Sequence, residues 1–261
     1  MRLADALADA RSARRRLVVP YLLVDRRRLG RLRGTVEALR DAGATALELG
    51  FPFSDPIADG PVLAGAADQA LAHGTDWRDL LAAARIASRS LPTAVMTYAN
   101  PVLRHTLPAG LAALARSGVS GLIVPDLSLE ESGPWRSASH RADLALVLLA
   151  APGATPVRIA AIARASRGFL YLVSYYGTTG SAASTGTPDL APLVRAAREA
   201  APALPVLLGF GIRDRGSAER ALRTGVDGVV IGTALEEAIQ RDPRPAAVGR
   251  WLASVVGPRA G

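Results

Sequence analysis

Three carboxylates fall within one short stretch of the sequence, LELGFPFSDPIADGP at 47–61. Glu48 lies in an apolar run typical of a strand covered on both faces, where an ionised carboxylate is costly to desolvate unless a partner or ligand requires it. Asp55 and Asp59 follow in a segment whose prolines and Gly60 predict an irregular loop. A strand-end acid facing a loop acid can supply two proton-transfer groups to one pocket. Glu48 and Asp59 are therefore the candidate catalytic residues, whereas Asp55 fits a turn cap equally well.

The chain contains 31 basic residues besides histidine, and all of them are arginine. A Schiff-base aldolase, a pyridoxal phosphate enzyme and a Walker A nucleotide site each require a lysine amine, and arginine cannot replace it because its guanidinium does not deprotonate. There is also no cysteine, which excludes thiolate chemistry, and the three histidines lack metal-ligand spacing. Any carbon–carbon bond cleavage must therefore use acid–base groups, and no metal site is predicted.

The formal net charge of +8 raises the alternative of nucleic-acid binding. Most arginines are scattered through apparent helices, and the densest cluster consists of Arg26, Arg27 and Arg28, followed by Arg31 and Arg33. No aromatic residue interrupts this cluster, although a site that stacks bases would need one. The pattern favours a solvated basic surface, and no nucleic-acid partner is expected.

The length of 261 residues, with 49% hydrophobic and 21% charged residues, fits one globular α/β domain over 1–261. Arginines near the N-terminus precede an apolar run at 17–24 that is only as long as a strand and contains Pro20. This segment predicts neither a signal peptide nor a membrane span. A cytoplasmic protein with no membrane partner is the default expectation.

One short pattern recurs three times, as LRDAGATALELG, LARSGVSGLIVPD and LRTGVDGVVIGT. In each copy a glycine, Gly43, Gly118 or Gly225, ends a helix in the left-handed conformation, and an apolar segment typical of a parallel strand follows. Completing the alternation predicts strands at 17–24, 46–50, 92–97, 121–124, 143–149, 169–173, 205–208 and 228–231. The predicted helices lie at 3–12, 32–41, 62–73, 77–90, 111–117, 129–138, 156–165, 189–200 and 214–224. This order predicts an α/β fold, a (β/α)8 TIM barrel with an extra N-terminal helix, and a doubly wound open sheet is the alternative.

Three glycine-bearing loops follow the last three predicted strands: YYGTTG at 175–180, GFGI at 209–212 and IGTAL at 231–235. Glycine lets backbone amides approach an anion closely, and a helix beginning at Thr233 would direct its unpaired amides at the same point. These loops therefore predict a phosphate site at the mouth of the barrel. The Gly, Ser and Thr-rich segment 174–188 predicts a lid, with Thr179 placed to reach a carboxylate such as Asp59.

Six motifs spread over almost the whole chain resemble one family. They are LELGFPFSDPIADGP, MTYANP, VPDLSLEES, YLVSYYGTTG, GFGI and GVDGVVIGTAL. Together they resemble the α subunit of tryptophan synthase and its stand-alone relatives, the indole-3-glycerol-phosphate lyases. The resemblance implies retro-aldol cleavage of indole-3-glycerol phosphate to indole and glyceraldehyde 3-phosphate, without metal or organic cofactor. It implies that Glu48 shuttles protons, and that Asp59 accepts the indole N–H and holds the developing positive charge.

The same resemblance implies the substrate-binding residues. An indole slot is expected from Tyr21, Tyr98, Ile123, Tyr171 and Phe210. Backbone amides at Gly180, Gly211, Gly232 and Thr233 are expected to bind the phosphate. Asn100 and Asp126, at the ends of the third and fourth strands, fit either a supporting role for the acids or plain turn roles.

The sequence departs from the family pattern in two places. After the first strand the family usually carries a glycine, an acid and a proline, where this chain has Asp25, Arg26 and Arg27, and Tyr175 with Tyr176 alters the lid. Both changes lie where the family gates its site or meets a tryptophan synthase β subunit, which is a possible partner. Pro52, Asp55 and the lid would lie at that interface. The alternatives are a stand-alone lyase supplying free indole to specialised metabolism, or a weakly active scaffold that activates a β subunit.

Overall fold

The computed structural model describes residues 2–151, 153–173, 190–209 and 211–257. Nine parallel strands form one sheet in the order β5-β4-β3-β2-β1-β9-β8-β7-β6. Their bounds are β1 Leu17–Leu23, β2 Leu47–Gly50, β3 Thr93–Met96, β4 Gly121–Ile123, β5 Ala145–Val147, β6 Leu149–Ala150, β7 Leu170–Val173, β8 Val206–Gly209 and β9 Gly228–Ile231. The two ends of this order, β5 and β6, are separated in sequence by Leu148 alone. They are two pieces of one barrel strand, so eight strand positions form the ring.

This arrangement confirms the predicted (β/α)8 TIM barrel, and the open-sheet alternative is wrong. An open sheet has two edge strands far apart, whereas here the fifth strand pairs on one side with β4 and on the other with β7. Because this strand is interrupted at Leu148, the piece β5 pairs with β4 and the piece β6 pairs with β7. The Leu148 N–H donates to the Ser166 hydroxyl oxygen, and the Leu148 carbonyl accepts from the Tyr171 N–H.

Helices alternate with the strands around the ring. They are α1 Leu3–Ser12, α2 Leu29–Asp41, α3 Pro61–Ala72, α4 Trp77–Ala87, α5 Ala99–Leu103, α6 Leu107–Arg116, α7 Ser132–Arg141, α8 Pro156–Ala165, α9 Ala191–Ala200, α10 Arg215–Arg223, α11 Thr233–Arg241 and α12 Pro245–Val256, with a 3-10 turn at Arg26–Arg28. No helix in the described part of the chain has the length and apolar character needed to cross a membrane. Gly43, Gly118 and Gly225 have φ values of 110°, 90° and 91°, which confirms their left-handed conformation at helix ends.

Two helices were not among those predicted. Helix α5 has only five residues, too few for a helical periodicity to be visible in the sequence. Helix α12 follows the eighth strand and its helix, beyond the repeating unit that the prediction used. Its glycine, Gly249, faces α2, where an added Cβ would crowd Ala38.

The barrel interior is closed at one end by α1. Leu3 and Leu7 of this helix are fully buried and pack with Leu17, Val19 and Phe169 inside the ring. A Cβ added to Gly121 on β4 would overlap the Leu3 side chain, so the absence of a side chain at Gly121 makes room for helix α1 inside the barrel. With this end filled by apolar side chains, the carboxyl ends of the strands form the mouth available for a site.

We expect Leu7→Ala to lower the free energy of unfolding by about 3 kcal/mol, because it removes a fully buried side chain and leaves a cavity. Leu103→Ala is the matched control, since Leu103 is 48% exposed and its truncation should cost less than about 1 kcal/mol. Urea denaturation measures both. Equal small losses would contradict the assignment of α1 to the core.

Candidate active site

Glu48 projects into the barrel from β2. It pairs in register with Tyr21 on β1 and Ala94 on β3, and it is 0% exposed. Among the described residues neither oxygen of its carboxyl group has a hydrogen-bond partner. Burial, followed by the nearby charge of Asp59, raises its pKa to about 8. The carboxyl group is therefore protonated at neutral pH and can both release and recover a proton.

Asp59 approaches the same region from the loop between β2 and α3. Burial raises its pKa to about 6, and a hydrogen bond from the Tyr98 hydroxyl opposes that rise. The Tyr98 oxygen in turn accepts a bond of 3.0 Å from the Ala58 N–H. Tyr98 also stacks on Phe53, with ring centroids 4.9 Å apart. Tyr98 thus fixes the loop that carries Asp59, although the two residues come from different strand ends.

Tyr21 and Tyr171 both lie beside the two acids. Both rings are buried, and burial raises the pKa of each hydroxyl well above its usual range, with further contributions from the charges of Glu48 and Asp59. Each ring occupies the space where a glycine of the next strand lacks a Cβ: Gly50 for Tyr21, and Gly209 for Tyr171. Larger residues at these glycines would displace the rings from their places near the carboxyl groups.

Most of the predicted pocket residues that the structure describes are brought together. Ile123 is fully buried on β4 and belongs to the same interior cluster as Tyr21 and Tyr171. Tyr98 is linked to these residues by its hydrogen bond to the Asp59 carboxylate. Thr179, Gly180 and Phe210 lie outside the described residues.

One predicted phosphate-binding glycine, Gly232, lies beside this pocket. Gly232 precedes α11, which begins at Thr233, and its backbone lies where an added Cβ would be 3.7 Å from Tyr21. The first amides of an α-helix have no partner within the helix and attract anions. Gly211, after β8, adopts a φ of 79°, which glycine allows without strain. The start of α11 therefore adjoins the wall that Tyr21 forms.

The polar residues at the third and fourth strand ends have structural contacts. Both carboxylate oxygens of Asp126 accept from the Ala99 N–H, at 3.0 and 3.2 Å, and so fix the start of α5, which contains Asn100. His105 stacks against Trp77 with ring centroids 4.9 Å apart. Within the described residues, no group of three or more His, Asp or Glu side chains could hold a metal ion.

One cluster near the site was not predicted from the sequence. Arg28, assigned to a solvated basic surface, instead forms two hydrogen bonds of 2.7 Å with the buried carboxylate of Glu236. Asp25, in the loop that departs from the family pattern, is also buried and contacts His73 at 3.1 Å. The expectation of a solvated surface is therefore wrong for Arg28. Its partner is 208 residues away in sequence, so spacing alone gave no signal.

The raised pKa of Glu48 predicts a pH-dependent cost to stability. The folded protein holds a proton up to about pH 8 that the unfolded chain releases near 4.5, so the stability contributed by this residue falls as the pH rises between these values. Glu48→Gln removes this pH-dependent loss of stability, because glutamine has no proton to release in this range. We expect the variant to gain several kcal/mol relative to wild type over this range, since each pKa unit corresponds to about 1.4 kcal/mol.

Urea denaturation at several pH values measures this trend. Glu130→Gln is the control, because Glu130 is exposed, bonded to Arg158, and has a pKa lowered to about 2. That control should show no trend between about pH 5 and pH 8. A Glu48→Gln difference that is equally flat would mean that Glu48 is ionised in the folded protein.

Comparison with known proteins agrees with this geometry. The family model described as tryptophan synthase alpha chain matches residues 7–251. The tryptophan synthase alpha chain of Synechococcus elongatus is 38% identical over 242 residues, which is 91% of this chain and 90% of that protein. That of Mycobacterium avium is 43% identical over 207 residues, 77% of this chain and 74% of that protein.

Solved structures give the same result. A Mycobacterium tuberculosis tryptophan synthase structure superposes with a TM-score of 0.85 at 36% identity, covering 97% of this chain and 98% of that one. A tryptophan synthase complex from Pyrococcus furiosus gives a TM-score of 0.80 at 31% identity, covering 93% and 98%. Fold, motifs and overall similarity agree, and the chain belongs to the tryptophan synthase alpha chain family.

Proposed function

We propose that this chain is a lyase that cleaves indole-3-glycerol phosphate to indole and glyceraldehyde 3-phosphate. The observation that carries the proposal is the approach of Asp59 to the buried Glu48 carboxyl group, which has no hydrogen-bond partner among the described residues, in a barrel of this family. The reaction needs a proton on indole C3, loss of the proton from the glycerol hydroxyl next to the ring, and support for positive charge on the indole. Two acids in different environments can divide these tasks.

In this proposal Glu48 transfers both protons. Its pKa of about 8 keeps it protonated at neutral pH, so it can protonate C3 of the indole ring. The resulting carboxylate then takes the hydroxyl proton. As the aldehyde carbonyl forms, the bond between C3 and the side chain breaks and its electrons return to the ring. Glu48 is left protonated, ready for the next turnover.

Asp59 supports the charge that appears on the indole. With a pKa of about 6 it is ionised at neutral pH, and as a carboxylate it can accept the indole N–H while the ring is positively charged. The hydrogen bond from Tyr98 keeps Asp59 directed at the pocket. Tyr21, Ile123 and Tyr171 would form the slot that holds the ring flat between the two acids.

The phosphate is assigned to the amides at the start of α11. Gly232 and Thr233 adjoin the Tyr21 wall, so a substrate with its ring between the acids would extend its phosphate toward them. Gly211 would add an amide from the neighbouring loop. The expected contributions of Phe210, Thr179 and Gly180 complete the proposed site. The cytoplasmic location expected from the sequence remains part of this proposal.

A tryptophan synthase β subunit is the proposed partner. A second structure from Pyrococcus furiosus is that of a tryptophan synthase a2b2 complex, and the relatives compared above are named alpha chains. The stand-alone alternative is therefore not favoured. In this chain the loop that carries Asp59 also exposes Ile57, which is 73% accessible, and Asp55. A partner that covers this loop would act directly on the position of Asp59.

We expect Glu48→Gln to reduce turnover of indole-3-glycerol phosphate by at least about 1,000-fold while affinity for a phosphate ligand changes little. The amide retains the shape of the carboxyl group but cannot exchange the proton. Single-turnover kinetics and calorimetry with glycerol 3-phosphate separate the two quantities. Glu130→Gln, in the exposed pair with Arg158, should match wild type. A parallel loss of affinity and rate would give Glu48 a structural role instead.

Adding a purified tryptophan synthase β subunit should raise turnover by the chain, and Ile57→Asp should reduce that rise by placing a charge at the expected interface. Ala4→Asp is the matched control, because Ala4 is exposed on the helix that closes the other end of the barrel. Indole release is measured with and without the β subunit. Full turnover by the isolated chain, insensitive to the partner, would favour the stand-alone alternative.

A further inference from the structure

The loop after β1 is joined to the first turn of α11 by an ion pair between the partly exposed Arg28 and the buried Glu236. Two nitrogens of the Arg28 guanidinium donate to the two oxygens of Glu236, both at 2.7 Å. Glu236 is 2% exposed, and one of its oxygens also accepts from Gln240 at 3.0 Å. A two-point bond of this kind fixes both the distance and the orientation of its partners.

The other side of the same loop is fixed to α3 and the segment that follows it. Asp25 contacts the His73 ring at 3.1 Å and lies 3.7 Å from the Arg28 guanidinium. The Arg26 N–H donates to the Thr75 hydroxyl at 3.0 Å. The loop that departs from the family pattern is therefore anchored at both ends, and Arg28 is the residue that reaches α11.

The position of Glu236 creates an electrostatic problem for an anion site. It lies in the first turn of the helix that begins at Thr233, and its N–H bonds to the Gly232 carbonyl at 3.0 Å. Burial and the charges of Asp59 and Glu48 raise the pKa of Tyr21, and the charge of Glu236 raises it further. The charge of Glu236 therefore acts on the side of the pocket that Tyr21 forms. An unpaired buried carboxylate here would repel a phosphate at the helix start.

We propose that Arg28 is a positioning residue for substrate phosphate, acting by neutralising Glu236 so that the amides at the start of α11 keep their affinity for an anion. This inference rests on the proposed function, because it assigns the phosphate to Gly232 and Thr233. Arg28 itself is occupied by Glu236, so it acts through the helix rather than by touching the ligand. The altered loop thus supports the phosphate site from outside the pocket.

Three variants test the charge argument, each assayed at about pH 8. Arg28→Met removes the cation that pairs with Glu236 and should raise both the KM for indole-3-glycerol phosphate and the Kd for inorganic phosphate by about tenfold, with kcat within about twofold. Arg28→Met/Glu236→Gln removes the carboxylate as well and should recover most of the affinity. Glu236→Gln alone should bind phosphate at least as tightly as wild type, because the negative charge is lost.

Arg158→Met is the matched control. Arg158 forms the same two-point bond, with Glu130 at 2.7 and 3.0 Å, but on an exposed face, and its loss should leave KM, Kd and kcat unchanged. Weaker phosphate binding by Glu236→Gln would overturn the inference, since a purely structural pair predicts that result. Wild-type affinity in Arg28→Met would overturn it too. Failure of the wild-type chain to bind phosphate or cleave the substrate would instead refute the proposed function.

Discussion

A carboxyl group that is buried inside a barrel, with no hydrogen-bond partner among the described residues, is the constraint on which this site depends. Charging Glu48 would cost several kcal/mol in these surroundings, so the group holds its proton instead. An arginine or backbone amide at hydrogen-bonding distance would stabilise the carboxylate and lower its pKa, and the group would then release no proton to an indole ring. The lack of a partner among the described residues is therefore what makes Glu48 suitable for its proposed task.

The surrounding structure maintains that environment. Helix α1 fills one end of the barrel with leucines, and the Tyr21 and Tyr171 rings fill the space above Gly50 and Gly209. Asp59 remains outside this interior on a loop, where the Tyr98 hydroxyl can reach it. The two acids consequently have different pKa values, about 8 and about 6, and near neutral pH one is protonated while the other is ionised.

The fold was largely predictable because its signal is local and repeated. A glycine at each of three helix ends and the apolar runs that follow fixed the strand positions to within two residues, and the number of strands then indicated a closed barrel. Glu48 could also be selected from the sequence, since an acid in an apolar strand is rare enough to indicate function, and Asp59 followed from its place in the loop after that strand. The break at Leu148 was not visible, because it depends on which neighbours the two halves of that strand pair with.

Long-range polar contacts were the least predictable part. Arg28 looks like one member of a basic run, and Glu236 like one acid on an amphipathic helix, yet the two form an ion pair in which Glu236 is buried. Tyr98 was expected in the slot from family resemblance, but its bonds to Asp59 and Ala58 depend on how the loop folds back. Such contacts leave no periodicity in the sequence, because the fold alone brings the partners together.

The most direct measurement of the central claim is a pH titration of the protein by infrared difference spectroscopy, with Glu48→Gln as the reference. The account predicts a protonated carboxyl signal that is present in wild type at neutral pH, absent from the variant, and lost with a midpoint near pH 8. A signal lost at the ordinary pKa of glutamate, near 4.5, would show that Glu48 is already ionised in the folded protein and would contradict the account.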